Sequence, residues 1–531
     1  MGRIISLLDT SPSLPTMKNI IISSLLLLQL IIAADDTPPN VIIIYADDLG
    51  YGDLSCYGAT KVHTTRIDSL AQDGRKFTDG HSPSSVCTPS RYSLLTGEYP
   101  FRKGLYSPIF LRNKLIMPEK TYTIADMMKE NGYQTGIIGK WHLGFQTKVP
   151  VDWNAPLKPG PLELGFDYYY GVPTVNSHPP FVYVENHHVV GHVYDQNSPD
   201  YDPFDYALAA GRQGYTQEVP EKMHLSAIGG AKEAHAQYKD YEVGLHLAGK
   251  TIDWIEQNKE DPFFLILSTT HIHHPFTPAP QFQGTSDAGL YGDFLHELDH
   301  IVGMILDKLE DEGLSDNTMV IFTADNGAMM NHTAQEAYTH QEHRPNGRLL
   351  GAKSDGWEGG HRVPFLVKWP SKIPQGTVSD QLISATDLLP TLASLTGAQI
   401  PTSASPDGVD MSEAFIGNPQ QQIREHLIST PLRRDFLVLR QGEWVYLDGR
   451  GSSGWNAPAG RHTLSGPNLA HFLGDQNSDL EGKAISPSAA PAQLYDLSQD
   501  LSQTTNLYHE HPERANEMKA LLQTLKNKSK K

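Results

Sequence analysis

Four short runs decide what this chain can fold into. Val41-Ile42-Ile43-Ile44-Tyr45, Gln134 to Ile138, Phe263-Phe264-Leu265-Ile266-Leu267 and Met319-Val320-Ile321-Phe322 are rich in β-branched and aromatic residues, and too short for buried helices. Runs of this kind form strands buried on both faces. Each stops abruptly at polar residues. Asp47-Asp48 and a Gly50-Tyr51-Gly52 turn follow the first, and Gly139-Lys140-Trp141-His142 the second. His271-Ile272-His273-His274-Pro275 follows the third, and Asp325-Asn326-Gly327 the fourth. Helical periodicity lies between them, over Tyr241 to Gln257 and over Phe294 to Leu309. Strand and helix in alternation predict an α/β sheet covered on both faces. Ligands of such sheets bind outside the carboxyl ends of the strands, so the four polar tips are expected to converge.

The rest of the chain divides by composition. Residues 146–235 are rich in Pro, Gly, His and Tyr with little periodicity, and read as long insertions between core elements. Pro401, Pro406 and Gly408 mark a boundary near 400–420. Beyond it Phe436–Leu439, Trp444–Leu447 and Gln493–Leu497 read as strands, and Pro512 to Leu525 as a terminal helix. The expected fold is α/β: a large mixed, mostly parallel sheet sandwiched by helices over 35–415. A smaller α+β domain, an antiparallel sheet plus a helix, is expected over 416–531.

Residues 1–34 read as a secretory signal. Lys18 precedes an apolar run from Ile20 to Ile32, and Ala33-Ala34 follow; Met17 is the better start. The run is short for a membrane span and no cysteine follows it, so no stable membrane anchor is expected. A secreted or periplasmic protein is the expectation. A net charge of −19 argues against nucleic-acid binding. An anionic ligand would need Lys, Arg and His gathered in one place.

Asp47, Asp48, Asp325 and Asn326 offer only oxygen donors, which suit Ca²⁺, or as second choice Mg²⁺. Two acidic pairs at two strand tips need a cation if they meet; alone, each reads as a turn or capping pair. Lys140 and His142, alternate residues leaving a strand end, can face one pocket. The two cysteines, Cys56 and Cys87, allow one disulfide in an oxidising compartment, the weaker of two readings. Pro89 and Ser90 instead suggest that Cys87 opens a helix, where free N–H groups favour an anion.

Cys87-Thr88-Pro89-Ser90-Arg91 followed by Leu95-Thr96-Gly97 resembles the sulfatase signature Cys-x-Pro-Ser-Arg-x-x-x-x-Thr-Gly at every fixed position. Gly139-Lys140-Trp141-His142-Leu143-Gly144 resembles the second signature of that family. The resemblance implies an alkaline-phosphatase-like superfold, and a Cys87 oxidised to formylglycine whose hydrate attacks the sulfur of a sulfate ester. It implies a metal site of Asp47, Asp48, Asp325 and Asn326, with residue 87 as a further ligand. Arg91 would hold the formylglycine hydroxyls, Lys140 the sulfate oxygens, and His142 would take a proton to expel sulfate. His273 would bind sulfate or protonate the leaving group, with His271 as the alternative. Lys353, in a Lys-x-x-x-x-Glu-Gly-Gly-x-Arg stretch, would touch the ester oxygen, leaving Arg362 structural. One departure is Arg348-Leu349-Leu350-Gly351, where the family often has Pro-Leu-Arg-Gly. Asn176, Ser177 and His178 are candidates for a substrate contact, as is Arg344.

The His- and Tyr-rich insertions, with Asn186-His187-His188, His340, His343 and Arg344, suggest by composition a sulfated carbohydrate substrate (marine polysaccharide or glycosaminoglycan fragments). The resemblance implies a formylglycine-generating or anaerobic sulfatase-maturating enzyme as partner. An arylsulfatase acting on small esters is the nearest rival. A phosphatase or phosphonate-ester hydrolase of the same superfold, or an inactive sulfated-glycan binding protein, are the others.

Overall fold

The computed structural model describes residues 1–2, 38–110, 113–205, 231–455 and 463–527. The apolar run read as a secretory signal lies outside them. The first strand, β1 (Asn40–Ala46), is completely covered along its β-branched run. It pairs in parallel on both sides, Ile43 opposite Ile266 on one and Ile321 on the other. Counting along the chain, β2 is Arg75–Phe77, β3 Gln134–Lys140, β4 Tyr168–Val172, β5 Val184–Glu185 and β6 His188–Val189. Then come β7 (Phe263–Ser268), β8 (Thr318–Ala324), β9 (Phe365–Lys368) and β10 (Thr377–Ser379). They form one ten-stranded sheet in the order β10-β2-β9-β8-β1-β7-β3-β4-β5-β6. Strands β8, β1, β7, β3 and β4 run parallel, and β9 runs antiparallel beside β8. The mixed, mostly parallel sheet is as expected.

Side chains alternate across a strand, so β1 feeds two cores. Val41, Ile43 and Tyr45 join Leu94, Leu95, Met127 and Leu389 on one face. Those partners come from helices α1 (Cys87–Thr96), α2 (Ile124–Glu130) and α5 (Leu388–Thr396), with α3 (Val243–Asn258) and α4 (Gly289–Asp311) between them in sequence. Ile42, Ile44 and Ala46 pack on the other face with Leu247 of α3 and Leu298 and Ile301 of α4. Helix, sheet and helix make three layers, and the polar strand tips emerge at one edge.

One central strand was hidden in the sequence. Residues 146–235 read as insertions, yet Tyr168–Val172 forms the fifth parallel strand, paired with β3. A strand covered on both faces needs no polar alternation, and Tyr-Tyr-Tyr-Gly-Val inside a Pro- and Gly-rich stretch carries no apolar signal.

After residue 416 a second sheet of four antiparallel strands forms, β11 (His426–Ser429), β12 (Val438–Gln441), β13 (Trp444–Leu447) and β14 (Gln493–Asp496). The terminal helix α6 (Pro512–Asn527) lays Met518 and Leu522 on Leu439 and Leu494. The opposite face holds Leu350 and Trp357, and the Trp357 indole donates to Gln493 Oε1 (2.9 Å). That face therefore anchors the segment carrying Lys353.

Candidate active site

Each central strand delivers its side chain by ending. Asp47 follows β1 directly and stays in the sheet frame through its N–H, which donates to the His271 carbonyl (2.7 Å). Asp48 turns into the left-handed region (φ 58°), which Asp tolerates better than most residues, and this swings its carboxylate sideways. Asp325 and Asn326 follow β8, the parallel neighbour of β1. The backbone N–H of Asp48 donates to Asp325 Oδ1 (3.1 Å), and Asn326 Nδ2 to Asp48 Oδ1 (2.8 Å). Carboxylate oxygens of Asp47, Asp48 and Asp325 lie within 4.8 Å of one another, all buried.

Three cations face these three acids. Lys140, the last residue of β3, is fully buried and donates to both oxygens of Asp47 (2.8 and 2.7 Å). Lys353 donates to Asp48 Oδ1. Arg91 contacts Asp325 Oδ2 and lies over the Tyr45 ring, 5.5 Å to its centroid. The charges balance, so a divalent cation would leave the pocket positive, as an anionic substrate requires. Burial first, and then Asp47, push the Asp325 carboxyl above its ordinary range even with Arg91 opposing. A bound cation relieves that cost. Two buried acceptors, Asp48 Oδ2 and Asn326 Oδ1, have no hydrogen-bond partner among the described residues. An oxygen-only donor set with two such orphans fits a hard divalent ion.

Cys87 is the first residue of α1, after the extended Val86, and Pro89 stands third in the helix. All three positions are in the first turn, whose N–H groups have no helical acceptors. The thiol is buried and lies in the field of Lys140, Lys353, Asp325 and Asp47. Burial, the largest effect, raises its pKa although both lysines oppose it. As a thiol it is not an activated nucleophile.

His142 also turns left-handed (φ 56°). Its Nε2 lies 2.8 Å from the carbonyl of Ile109, which can only accept, so Nε2 carries the proton. Nδ1 then holds a lone pair and is a buried atom without a hydrogen-bond partner among the described residues. Burial, then Lys140 and Arg91, depress its pKa well below 6.5. This is a neutral base in the field of Lys140, Arg91 and Lys353.

His273 has its Nδ1 on the His274 carbonyl (2.6 Å) and its Nε2 3.7 Å from Asp48 Oδ2. Burial and then Lys353 lower its pKa strongly. His271 faces elsewhere: its ring packs on Phe294 of α4 (4.2 Å) with Nε2 3.5 Å from Glu297. Ser177 Oγ shares a hydrogen bond with His178 Nδ1 (2.9 Å). Burial, with Lys140 and Lys353 adding, pulls His178 down to about 4. Asn176 accepts from the Tyr238 hydroxyl (3.0 Å). Arg344 pairs with Asp475 and lies over Tyr338. Arg362 pairs with Asp79 and Glu358.

Sequence reading missed Ser268. At the end of β7 its hydroxyl accepts from Arg91 Nη1 and donates to the Lys140 carbonyl (2.7 Å), joining two cationic residues. Its one signal was a hydroxyl at the tip of an apolar run. The carbonyl of Ile109 had none, because any residue supplies one.

A sulfatase family model matches residues 39–398. The chain belongs to the sulfatase family. The sulfatase is 34% identical over 505 residues to an N-acetylgalactosamine-6-O-sulfatase of Bacteroides thetaiotaomicron, covering 92% of this chain and 93% of that one. It is 33% identical over 471 residues to arylsulfatase A of Homo sapiens, covering 88% and 83%. A solved 6S-sulfatase structure from a study of glycosaminoglycan metabolism by Bacteroides thetaiotaomicron superposes with a TM-score of 0.79. Identity there is 34%, and 93% of this chain and 100% of that chain are covered. The sulfatase is thus a sulfuric ester hydrolase, and its family uses formylglycine with a divalent metal.

Proposed function

We propose that the protein hydrolyses sulfate esters of carbohydrates, with Cys87 converted to formylglycine and Ca²⁺ held by Asp47, Asp48, residue 87, Asp325 and Asn326. The observation that carries this reading is the meeting of three acids and three bases around the first turn of α1. The relative named for N-acetylgalactosamine 6-O-sulfate makes a 6-sulfated amino sugar the first substrate to test.

When present, the ion and the formylglycine supply a Lewis acid and an oxygen nucleophile. The chain's own residues do the rest. Lys140 and Lys353 neutralise sulfate oxygens as charge shifts toward the leaving group, and Arg91 orients residue 87 one turn away. His142 Nδ1 accepts the proton that residue 87 gives up. Neutral His273 carries its proton on Nδ1, so it becomes a donor through Nε2 only when an anion raises its pKa. Lys353, a cation that needs no such shift, is therefore assigned the ester oxygen.

We further propose secretion or export to a periplasm, maturation by a formylglycine-generating or anaerobic sulfatase-maturating enzyme, and a subdomain boundary near residue 415. No helix among the described residues is long and apolar enough to cross a membrane. The test is desulfation of defined sulfated oligosaccharides and an aryl sulfate by protein co-expressed with a maturation enzyme, with Cys87→Ala as control. Turnover of the aryl ester alone would replace the carbohydrate reading with the arylsulfatase one.

A further inference from the structure

Phe110 is a large apolar side chain left 46% exposed. Isolated apolar side chains on a surface are ordinary. This one differs in what fixes it. The N–H of Ile109, its neighbour, donates to Thr88 Oγ1 (3.2 Å), and the Ile109 carbonyl takes the His142 Nε2 proton (2.8 Å). Thr88 Oγ1 in turn donates to the His142 carbonyl (3.0 Å) and adjoins Cys87. On its other side, the N–H of Phe110 donates to Asn113 Oδ1 (2.9 Å) and its carbonyl accepts from the Asn113 N–H (2.9 Å). These hydrogen bonds tie the backbone of Ile109 and Phe110 to Thr88, His142 and Asn113, and so place a large apolar ring next in sequence to the partner of the proposed base.

The ring also marks the site's rim. It is tilted against His178, 5.3 Å between centroids, and His178 feels the charges of Lys140 and Lys353. A path therefore runs from the cationic pocket through a half-buried neutral imidazole to an exposed aromatic face. Sulfate needs only the first of these. A sugar ring carries hydroxyls at its edge and an apolar C–H face, and an aromatic face attracts such polarised C–H groups while covering apolar surface.

We infer that Phe110 is a specificity residue that stacks on the ring of the sugar bearing the sulfate, with His178 beside it meeting a sugar hydroxyl. This rests on the carbohydrate reading above and assigns the contact that separates a sugar ester from bare sulfate.

The experiment compares wild type, Phe110→Ala and Phe110→Tyr, all matured, on one 6-sulfated N-acetylated hexosamine, and measures inhibition by inorganic sulfate. Phe110→Ala should raise KM about tenfold with little change in kcat, as loss of one stacking contact implies. Phe110→Tyr should keep the wild-type KM, and the sulfate inhibition constant should be the same in all three. A KM within twofold of wild type in Phe110→Ala overturns the inference. So does an equal weakening of sulfate inhibition, since that means the loop merely supports His142. A wild type inactive on every sulfated sugar would sink the carbohydrate reading itself, whatever the variants do.

Discussion

Arg91 sets both Nε (3.0 Å) and Nη2 (2.7 Å) on one oxygen of Asp325, Oδ2, and leaves Oδ1 for the Asp48 N–H. One carboxylate thereby joins α1, which carries Cys87, to the tips of β1 and β8. Both partners are buried, so the pair acts as a unit. Asp325→Asn should lower unfolding stability by about 3–5 kcal/mol, because it removes the carboxylate hydrogen-bonded to a buried guanidinium and leaves, among the described residues, only Asp47, 3.8 Å away, to offset its charge. Urea denaturation checks this. Adding Arg91→Met to that variant should recover part of the stability and none of the activity.

Cys87→Ala should abolish turnover, and in the absence of Ca²⁺ its thermal midpoint should stay near that of the unmatured parent, since among the described residues the thiol donates no hydrogen bond. Calorimetry and a desulfation assay give the two readouts. Mass spectrometry of the peptide spanning residue 87 should show an aldehyde in matured wild type. An active enzyme with an intact thiol would falsify the formylglycine reading.

Chelation should remove both activity and stability. A ligand that binds only the native state at a hundred times its Kd adds about 2.7 kcal/mol. Apo protein should therefore melt lower and recover on adding Ca²⁺, with Mg²⁺ less effective because it demands a tighter octahedron. Recovery with Zn²⁺ and none with Ca²⁺ would contradict the oxygen-donor assignment.

The pH profile follows from His142. A base must be neutral to act, and burial with Lys140 and Arg91 depresses this imidazole well below 6.5. Lowering the pH protonates it only beneath that value. Thus kcat should stay flat from neutrality through pH 6.5 and fall at more acidic pH. A His142-dependent limb centred at or above 6.5 would show the pocket to be less cationic than drawn.

Gly139→Ala should destabilise the fold by more than 1 kcal/mol and misplace Lys140. Gly139 has φ 114°, and a Cβ there would lie 1.8 Å from the Ser268 carbonyl oxygen. The expected signs are a lower urea midpoint and a reduced kcat.

The polar strand tips were legible because a buried strand must shed its chemistry at its ends. Asp47, Lys140, His273 and Asp325 each follow an apolar run, and strand order alone brings them to one sheet edge. Strand β4 was not legible, since its tyrosines and glycine look like loop composition until neighbours cover them. Among the three histidines of 271–274, only the fold sorts them: ring direction puts His271 on Phe294 and His273 toward Asp48.

By itself the amino-acid order determined the alternation of strands and helices, the oxygen-donor pairs and the thiol opening a helix, because periodicity, side-chain chemistry and local turns are properties of neighbours along the chain. Tertiary structure alone decided that three acids meet three bases, which nitrogen of His142 carries the proton, and that Phe110 stands at the rim. Those depend on partners as much as 305 residues apart and on backbone carbonyls that no residue type announces.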